Sequence, residues 1–314
     1  QMLKYMNIKN FKSLRNVSLG FAPLNLLCGY NGMGKSSVMQ ALLLLRQSCQ
    51  KDKNLDKLFL NGPLTNLGTA KDVFCRTADE QYIRFFIKQY EEEPHDLRYC
   101  YDAFSAQNDV LLRVPDAKND QESFQTPLFS PPGSPLFPEK EATFHVPERL
   151  WNPKGKTDLL FDQVSAWMAE ISPAFQNIDE FDSTRDYFGS GFSTILSLIV
   201  ELLVSGKDSL ILLEHPESHL HPRGQSVIAR LMALAVAGGT QIICETHSDC
   251  FVHGIRVAVK QKQIAASDVS ISYFSMNENK ETQIDFIEVD EKGRLDSYPV
   301  GFLDERTNQL VKLL

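Results

Sequence analysis

Leu24-Asn25-Leu26-Leu27-Cys28-Gly29-Tyr30-Asn31-Gly32-Met33-Gly34-Lys35-Ser36-Ser37 is the stretch that decides the fold. Its first five residues read as an apolar strand, and Gly29 to Ser36 follow the pattern G-x-x-x-x-G-K-[ST]. The residues behind it, 36–50, have the composition of a helix with leucine at every position from Leu42 to Leu45. A run that is apolar on all sides predicts a largely buried helix. Phosphate chemistry requires this spacing. A glycine-rich turn lets successive backbone N–H groups curl round an anion, a lysine reaches the β and γ oxygens, and the next hydroxyl ligates Mg²⁺. The helix dipole points its positive end at the same place. Asn31, Gly32, Gly34, Lys35, Ser36 and Ser37 are therefore expected to hold the phosphates of a nucleotide, with Ser36 on the metal.

Outward from this stretch, short strands are predicted at 3–8 and 17–19 before it, and at 81–88 and 97–104 after it, where β-branched and aromatic residues are dense. Residues 115–138 shift to Pro, Ser, Asn and Gly, which predicts a mobile loop within an insertion at about 91–155. Beyond it, helices at 161–171, 191–205, 223–237 and 249–262 alternate with apolar strands at 210–213 and 241–244. That alternation predicts parallel strands joined by crossover helices, in a single domain over 1–314.

The composition is ordinary for a globular chain. Of 314 residues, 43% are hydrophobic and 23% charged, which excludes disordered and fibrous classes. The formal charge of −8 argues against gripping nucleic acid by bulk charge, although Lys4, Lys9, Lys12 and Arg15 could line a local basic groove. The longest apolar run, 195–204, is far short of the roughly 18–20 residues of a spanning helix, so no membrane is expected. The start Gln1-Met2-Leu3-Lys4 lacks a signal-peptide pattern, and Gln1 reads as a cloning remnant. Six cysteines without paired spacing suit reduced thiols in the cytoplasm.

Three further clusters carry chemistry. Leu210-Ile211-Leu212-Leu213-Glu214-His215-Pro216-Glu217-Ser218-His219-Leu220-His221-Pro222 is a buried strand ending in an acid, which places Glu214 beside bound Mg²⁺. His215, His219 and His221 with the two acids also allow a zinc reading, but a single cluster without a second contributing segment fits a closed tetrahedral site poorly. Glu245-Thr246-His247-Ser248 follows the next apolar strand, so His247 is expected to meet the γ-phosphate or the attacking water. Phe188-Gly189-Ser190-Gly191-Phe192-Ser193 precedes a helix, where free amides and a hydroxyl make an anion site; a plain serine-capped helix is the other reading.

In this order the clusters resemble the nucleotide-binding heads of the ABC ATPase superfamily, in the branch shared by SMC-type, RecF-type and OLD-type proteins. Ile8-Lys9-Asn10-Phe11-Lys12-Ser13-Leu14 is similar to the N-x-[KR]-S segment of those heads and adds Lys12 to the nucleotide contacts. Ser218 to Pro222 resembles their D-loop. Tyr298-Pro299-Val300-Gly301-Phe302-Leu303-Asp304-Glu305 resembles the tail of a compact bacterial subgroup of AAA-type ATPases whose members occur with effectors in phage-defence loci.

The resemblance implies an α/β ABC-type ATPase head with a mixed N-terminal β-lobe and a parallel-sheet core flanked by helices, without a long coiled coil or a Toprim domain. It implies ATP and Mg²⁺, and a homodimer, or a larger assembly of dimers, in which Gly189, Ser190 and Gly191 of one copy close over the γ-phosphate of the other. It also implies a separate effector, a nuclease or a toxin. Two departures stand out: Glu214 replaces the commoner Asp, and His215 occupies the catalytic-base position usually held by Glu, with Glu217 the nearby acid that could substitute. Slow hydrolysis is expected, because imidazole is a weaker base than a well-placed carboxylate. Gln47 is assigned by nearness alone to the glutamine that usually meets the metal. An ATP-dependent DNA clamp of RecF or SMC type is the alternative function. A self-contained OLD-type nuclease would need a further acidic domain, for which the tail is too short.

Overall fold

A computed structural model of the chain describes residues 2–90, 93–100, 109–114, 159–172, 185–218 and 220–313, with side chains described at all of these except 159–162, 185–193 and 305–307. The apolar strand before the phosphate loop, β3 (Leu24–Gly29), is buried at five consecutive residues and therefore lies inside a sheet rather than at its edge. Let β8 be Leu210–Glu214, β9 Gln241–Glu245, β10 Val269–Met276 and β11 Thr282–Ile287. The order is β11-β10-β3-β9-β8, with β10, β3, β9 and β8 mutually parallel and β11 antiparallel at one edge.

A second sheet is built from β1 (Leu3–Phe11), β2 (Leu14–Gly20), β4 (Lys57–Phe59), β5 (Tyr82–Gln89), β6 (His95–Cys100) and β7 (Val110–Arg113). Its order is β2-β1-β5-β6-β7-β4 and its pairs are antiparallel. Alternation along β3 divides the interior. Leu24, Leu26 and Cys28 face a core formed with α3 (Leu159–Ile171), α4 (Arg185–Val204), α5 (Pro222–Ala237) and α6 (Asp249–Lys260). Leu27 faces the opposite core, filled by α1 (Lys35–Lys51) and the antiparallel sheet. The helix α1 is thus enclosed, as its leucine run requires.

Gln241 ties the two sheets together. Its amide accepts from Leu3 N–H at 2.7 Å and donates to the carbonyls of Leu3 at 2.7 Å and Ala22 at 3.0 Å, the two Leu3 bonds being buried. The remaining helices are the short α2 (Ala70–Val73) and α7 (Glu305–Lys312). Among the described helices none is longer than the 20 residues of α4, and none is long and apolar enough to cross a membrane.

The elements expected from sequence are present with small shifts, except that α4 begins at Arg185, six residues earlier than anticipated. Strands β4, β7, β10 and β11 were not anticipated. Of the anticipated insertion, β6 and β7 belong to the antiparallel sheet, whereas 115–138 lies outside the described residues.

Candidate nucleotide site

The carboxyl ends of β3, β9 and β8 lie side by side, which is where open α/β sheets bind ligands. The phosphate loop leaves β3 at Gly29 and enters α1 through Gly34, whose φ of 101° only glycine adopts without strain. Space forbids any other residue at Gly34. A Cβ there would lie 2.3 Å from Thr282 Oγ1 and 2.9 Å from Ser13 Oγ. Helix α1 has no side-chain cap, so its first amides are left to bind an anion. Asn31 and Gly32 sit on the exposed crest of the turn, and Ser37 is half-buried in the first helical turn.

Lys35 is 2% exposed. Its ammonium donates to the carbonyls of Gly29 at 3.0 Å and Tyr30 at 2.8 Å and lies 3.6 Å from Glu245 Oε1. Burial pulls its pKa down from the ordinary lysine value, and the Glu245 charge opposes that. Ser36 Oγ donates to the same Glu245 oxygen at 3.0 Å. Glu245 ends β9, is 2% exposed, and its Oε2 is buried without a hydrogen-bond partner. A buried carboxylate persists only when paired, and here the pairing is with the two functional side chains of the phosphate loop.

Sequence reasoning quoted Glu245 within its cluster and passed over it in favour of His247. An acid closing the apolar run Gln241-Ile242-Ile243-Cys244, beside a loop that carries a buried lysine, was the available signal.

Against this group lie two imidazoles. His215, in the left-handed region at φ 49°, stacks on His247 with ring centroids 4.9 Å apart and planes 12° from parallel. His215 Nε2 is 3.8 Å from Glu245 Oε1, and its Nδ1 is 3.9 Å from Glu217 Oε1. Glu217 turns back into the site. Its Oε1 accepts the backbone N–H of His247 at 2.8 Å, while its Oε2 is buried and unpartnered. Burial first, then Lys35 and His215, push the His247 pKa below the ordinary histidine value, favouring the neutral ring. Ser248 fixes the loop by capping α6, accepting from Phe251 N–H at 3.1 Å.

The structure thus brings Lys35, Ser36, His215, Glu217 and His247 together, with Glu245 at their centre. Glu214 ends β8 as an exposed residue; partial burial of its carboxyl and then the Glu245 charge raise its pKa, while His215 lowers it. Lys12 donates from Nζ to Gln40 Oε1 on α1 at 2.5 Å, and burial lowers its pKa.

Gln47 is a correction. Its amide donates to the Phe59 carbonyl at 2.6 Å and accepts from Thr65 N–H at 3.0 Å and Leu64 N–H at 3.3 Å. It also stands eleven residues from Ser36 on one helix, about 16 Å along the axis, so it fastens a loop and does not reach the metal position. Gly189, Ser190 and Gly191 lie inside α4 rather than ahead of its first turn, and nothing is described of their side chains. His219 lies outside the described residues.

Metal chemistry divides clearly here. His215, Glu245 and His247 offer ligand atoms within 4.8 Å of one another, but two face-to-face imidazoles cannot aim both in-plane lone pairs at one ion. The zinc reading therefore fits poorly. The hydroxyl of Ser36 and the orphaned carboxylate oxygen of Glu245 are hard oxygen donors of the kind Mg²⁺ takes. A cavity of about 290 Å³ adjoins the loop, bounded by Tyr30, His247, Tyr273, Gly301 and Phe302.

Three family profiles match successive parts of the chain. Residues 2–129 match an AAA ATPase domain. Residues 153–252 match a family described as "AAA domain, putative AbiEii toxin, Type IV TA system". Residues 264–313 match DUF3696, described as a protein of unknown function. No curated protein matches the chain.

Among solved structures, the SMC head domain from Thermotoga maritima is similar at 14% identity, with 92% of this chain and 100% of that one covered and a TM-score of 0.50. An Smc head bound to the C-terminal winged-helix domain of ScpA is similar at 14% identity, covering 93% and 99%, with a TM-score of 0.52. An Smc head with an extended coiled coil, bound to the C-terminal domain of ScpA from Pyrococcus furiosus, is similar at 12% identity, covering 99% of both chains, again with a TM-score of 0.52. Two AAA ATPase domain profiles thus match successive parts of the chain, its fold is that of the SMC heads, and it is an ATPase.

Proposed function

We propose that this ATPase acts as a slowly hydrolysing, dimeric switch in the cytoplasm that controls a separate effector, a nuclease or a toxin, in defence against phage. The observation that carries the reading is the chemistry after β8. Where a strong base would stand, His215 lies stacked on His247; of the two acids beside it, Glu217 is already engaged with the His247 backbone and Glu245 with Ser36 and Lys35. A site that grips a triphosphate well but activates water weakly keeps its bound state for a long time. Holding a state is what a switch requires.

The chain's own residues supply the steps. Lys35 leaves the carbonyls of Gly29 and Tyr30 for the β and γ oxygens, and the first amides of α1 cradle the phosphates. Ser36, with acids at the strand ends, Glu214 among them, would hold Mg²⁺, which when bound would supply positive charge against the phosphates. His215, with Glu217 as a second candidate, orients water, and His247 senses the γ-phosphate. Lys12 adds a cation at the loop's flank. Gly189, Ser190 and Gly191 of a second copy seal the site, and loss of the γ-phosphate removes the charge-assisted bonds between copies.

Defence and effector control draw support from the AbiEii-type domain match, and the ScpA-bound Smc heads are a precedent for this fold carrying a partner protein. A DNA clamp is less well supported, because two of the four cations of the basic groove, Lys9 and Arg15, are paired with acids and Lys12 is tied to an amide. Lys9 pairs with Glu80 at 2.5 Å, Arg15 with Glu281 at 2.9 Å, and Lys12 bonds Gln40.

Light scattering tests the switch. Mass should rise towards a dimer, or a multiple of one, with a non-hydrolysable ATP analogue and fall with ADP, and K35A should abolish the difference. An unchanged mass in all nucleotide states overturns the reading.

A further inference from the structure

We infer that the segment 299–304 positions the phosphate loop, with the backbone of Gly301 clamping the ring of Tyr30. The inference rests on the ATP reading above and adds to it an element from the last part of the sequence.

The segment takes no part in the steps above, yet its conformation is closely specified. Phe302 is 3% exposed and meets Tyr273 of β10 edge-on, with ring centroids 5.5 Å apart. Its N–H donates to the Pro299 carbonyl at 3.0 Å, Gly301 N–H donates to Asp304 Oδ2 at 2.8 Å, and the Tyr273 hydroxyl donates to the Val300 carbonyl at 2.9 Å. Leu303 sits at φ 57°, a left-handed backbone that a leucine keeps when its surroundings fix it. Bonded within itself and anchored on β10, the segment forms a strap.

The strap lies on the loop. Tyr273 registers against Cys28 and Phe274 against Gly29, so its anchor belongs to the strand beside the one that launches the loop. At Gly301, where φ is 86°, a Cβ would lie 2.6 Å from Tyr30 Cε2, 2.7 Å from Tyr30 Oη and 2.7 Å from Tyr273 Oη. Glycine is required there both by conformation and by space.

Tyr30 is the first residue of the loop after Gly29 and is otherwise exposed. Its carbonyl accepts the Lys35 ammonium at 2.8 Å. Ring and carbonyl belong to one residue, so a ring pressed on Gly301 restricts the rotations that would re-aim the carbonyl. When Lys35 moves to a triphosphate, that carbonyl loses its donor, and the strap keeps the crest of the loop in shape. A loop held beforehand in its binding conformation spares the ligand the cost of ordering it.

The test is calorimetric binding of a non-hydrolysable ATP analogue with Mg²⁺ to the full chain. Y30A should bind about three- to tenfold more weakly than wild type, the usual worth of ordering one or two side chains. Y30F, which retains the ring, should keep most of the affinity. G301A should weaken binding by a similar factor when Tyr30 is present and add nothing in a Y30A background, where its Cβ meets no ring. Y298A, at an exposed tyrosine just before the strap, is the control and should bind as wild type. In steady state the loss should fall on KM more than on kcat. Wild-type affinity in Y30A overturns the inference, as does a G301A loss that persists in full in Y30A/G301A, or a loss confined to kcat. Should G301A fail to fold, Y30A and Y30F decide alone, and equal affinities in the two overturn it. A wild-type protein that binds no analogue fails the nucleotide reading itself, which separates the two failures.

Discussion

Thr282, the first residue of β11, places its hydroxyl 2.8 Å from Ser13 Oγ and 3.0 Å from the Met33 carbonyl, joining the turn after β1 to the phosphate loop. Each hydroxyl has one proton, so both contacts are satisfied when Ser13 donates to Thr282 and Thr282 donates to Met33. The loop's conformation is therefore held from a strand nearly 250 residues away in sequence. T282V keeps the shape and removes the donor, leaving the Met33 carbonyl without it. Stability should fall by about 1–2 kcal/mol, and ATP affinity should drop severalfold beyond what that loss explains. Chemical denaturation and calorimetry measure the two separately; an unchanged affinity would make the brace structural only.

Gln47 fastens 59–65 to α1 through three hydrogen bonds, two of them accepted by its single carbonyl oxygen. Q47L should cost about 2–3 kcal/mol, because buried backbone groups lose their partners while the space stays filled. The Mg²⁺ dependence of nucleotide binding should be untouched. A changed metal dependence in a folded Q47L protein would restore the role that its position in the structure denies it.

Much of the fold was legible because its signals are local. The phosphate loop needs its glycines within eight residues, and the apolar strands before Gly29, Glu214 and Glu245 announce themselves by composition. Strand β10 was missed although Val269-Ser270-Ile271-Ser272-Tyr273-Phe274 alternates as strands do, because its parallel partner β3 lies at the far end of the sequence. Glu245 was passed over for a different reason. Its place beside Lys35 and Ser36 arises from β9 sitting between β3 and β8, and strand order is not written in either segment. Gln47 failed in the opposite direction, since nearness along a helix says nothing about which face a side chain takes.

Glu201 on α4 is an acid in an apolar setting. Burial pushes its pKa up to about 7 from 4.5, and its Oε1 is buried without a partner. A carboxyl whose folded-state pKa is raised favours the folded state fully below about pH 4.5. That advantage is lost as pH rises towards and past 7, because the folded protein must then ionise it in place. E201Q removes the ionisation. Melting temperatures at pH 5 and pH 8 should converge in the variant, with a gain at pH 8 of up to about 3 kcal/mol and little change at pH 5. Equal gains at both values would point to packing instead of charge.

His215 sets the rate, on the proposed mechanism, and its replacement probes the switch most directly. A carboxylate is the stronger base for water, yet H215E adds negative charge beside Glu217 and Glu245, which His215 Nδ1 and Nε2 now approach at 3.9 and 3.8 Å. Base strength should win once Mg²⁺ and the phosphates are bound, because Lys35 and the metal offset the added charge. Steady-state turnover should rise about tenfold in H215E, with KM for ATP higher, and fall about tenfold in H215A, less than the roughly hundredfold or more of a well-placed general base because the imidazole is a weak one. The ATP-dependent assembly should correspondingly decay faster in H215E and slower in H215A. If turnover rises while the assembly's lifetime stays fixed, hydrolysis does not time the closed state. Release of products or partner would then be the step that does.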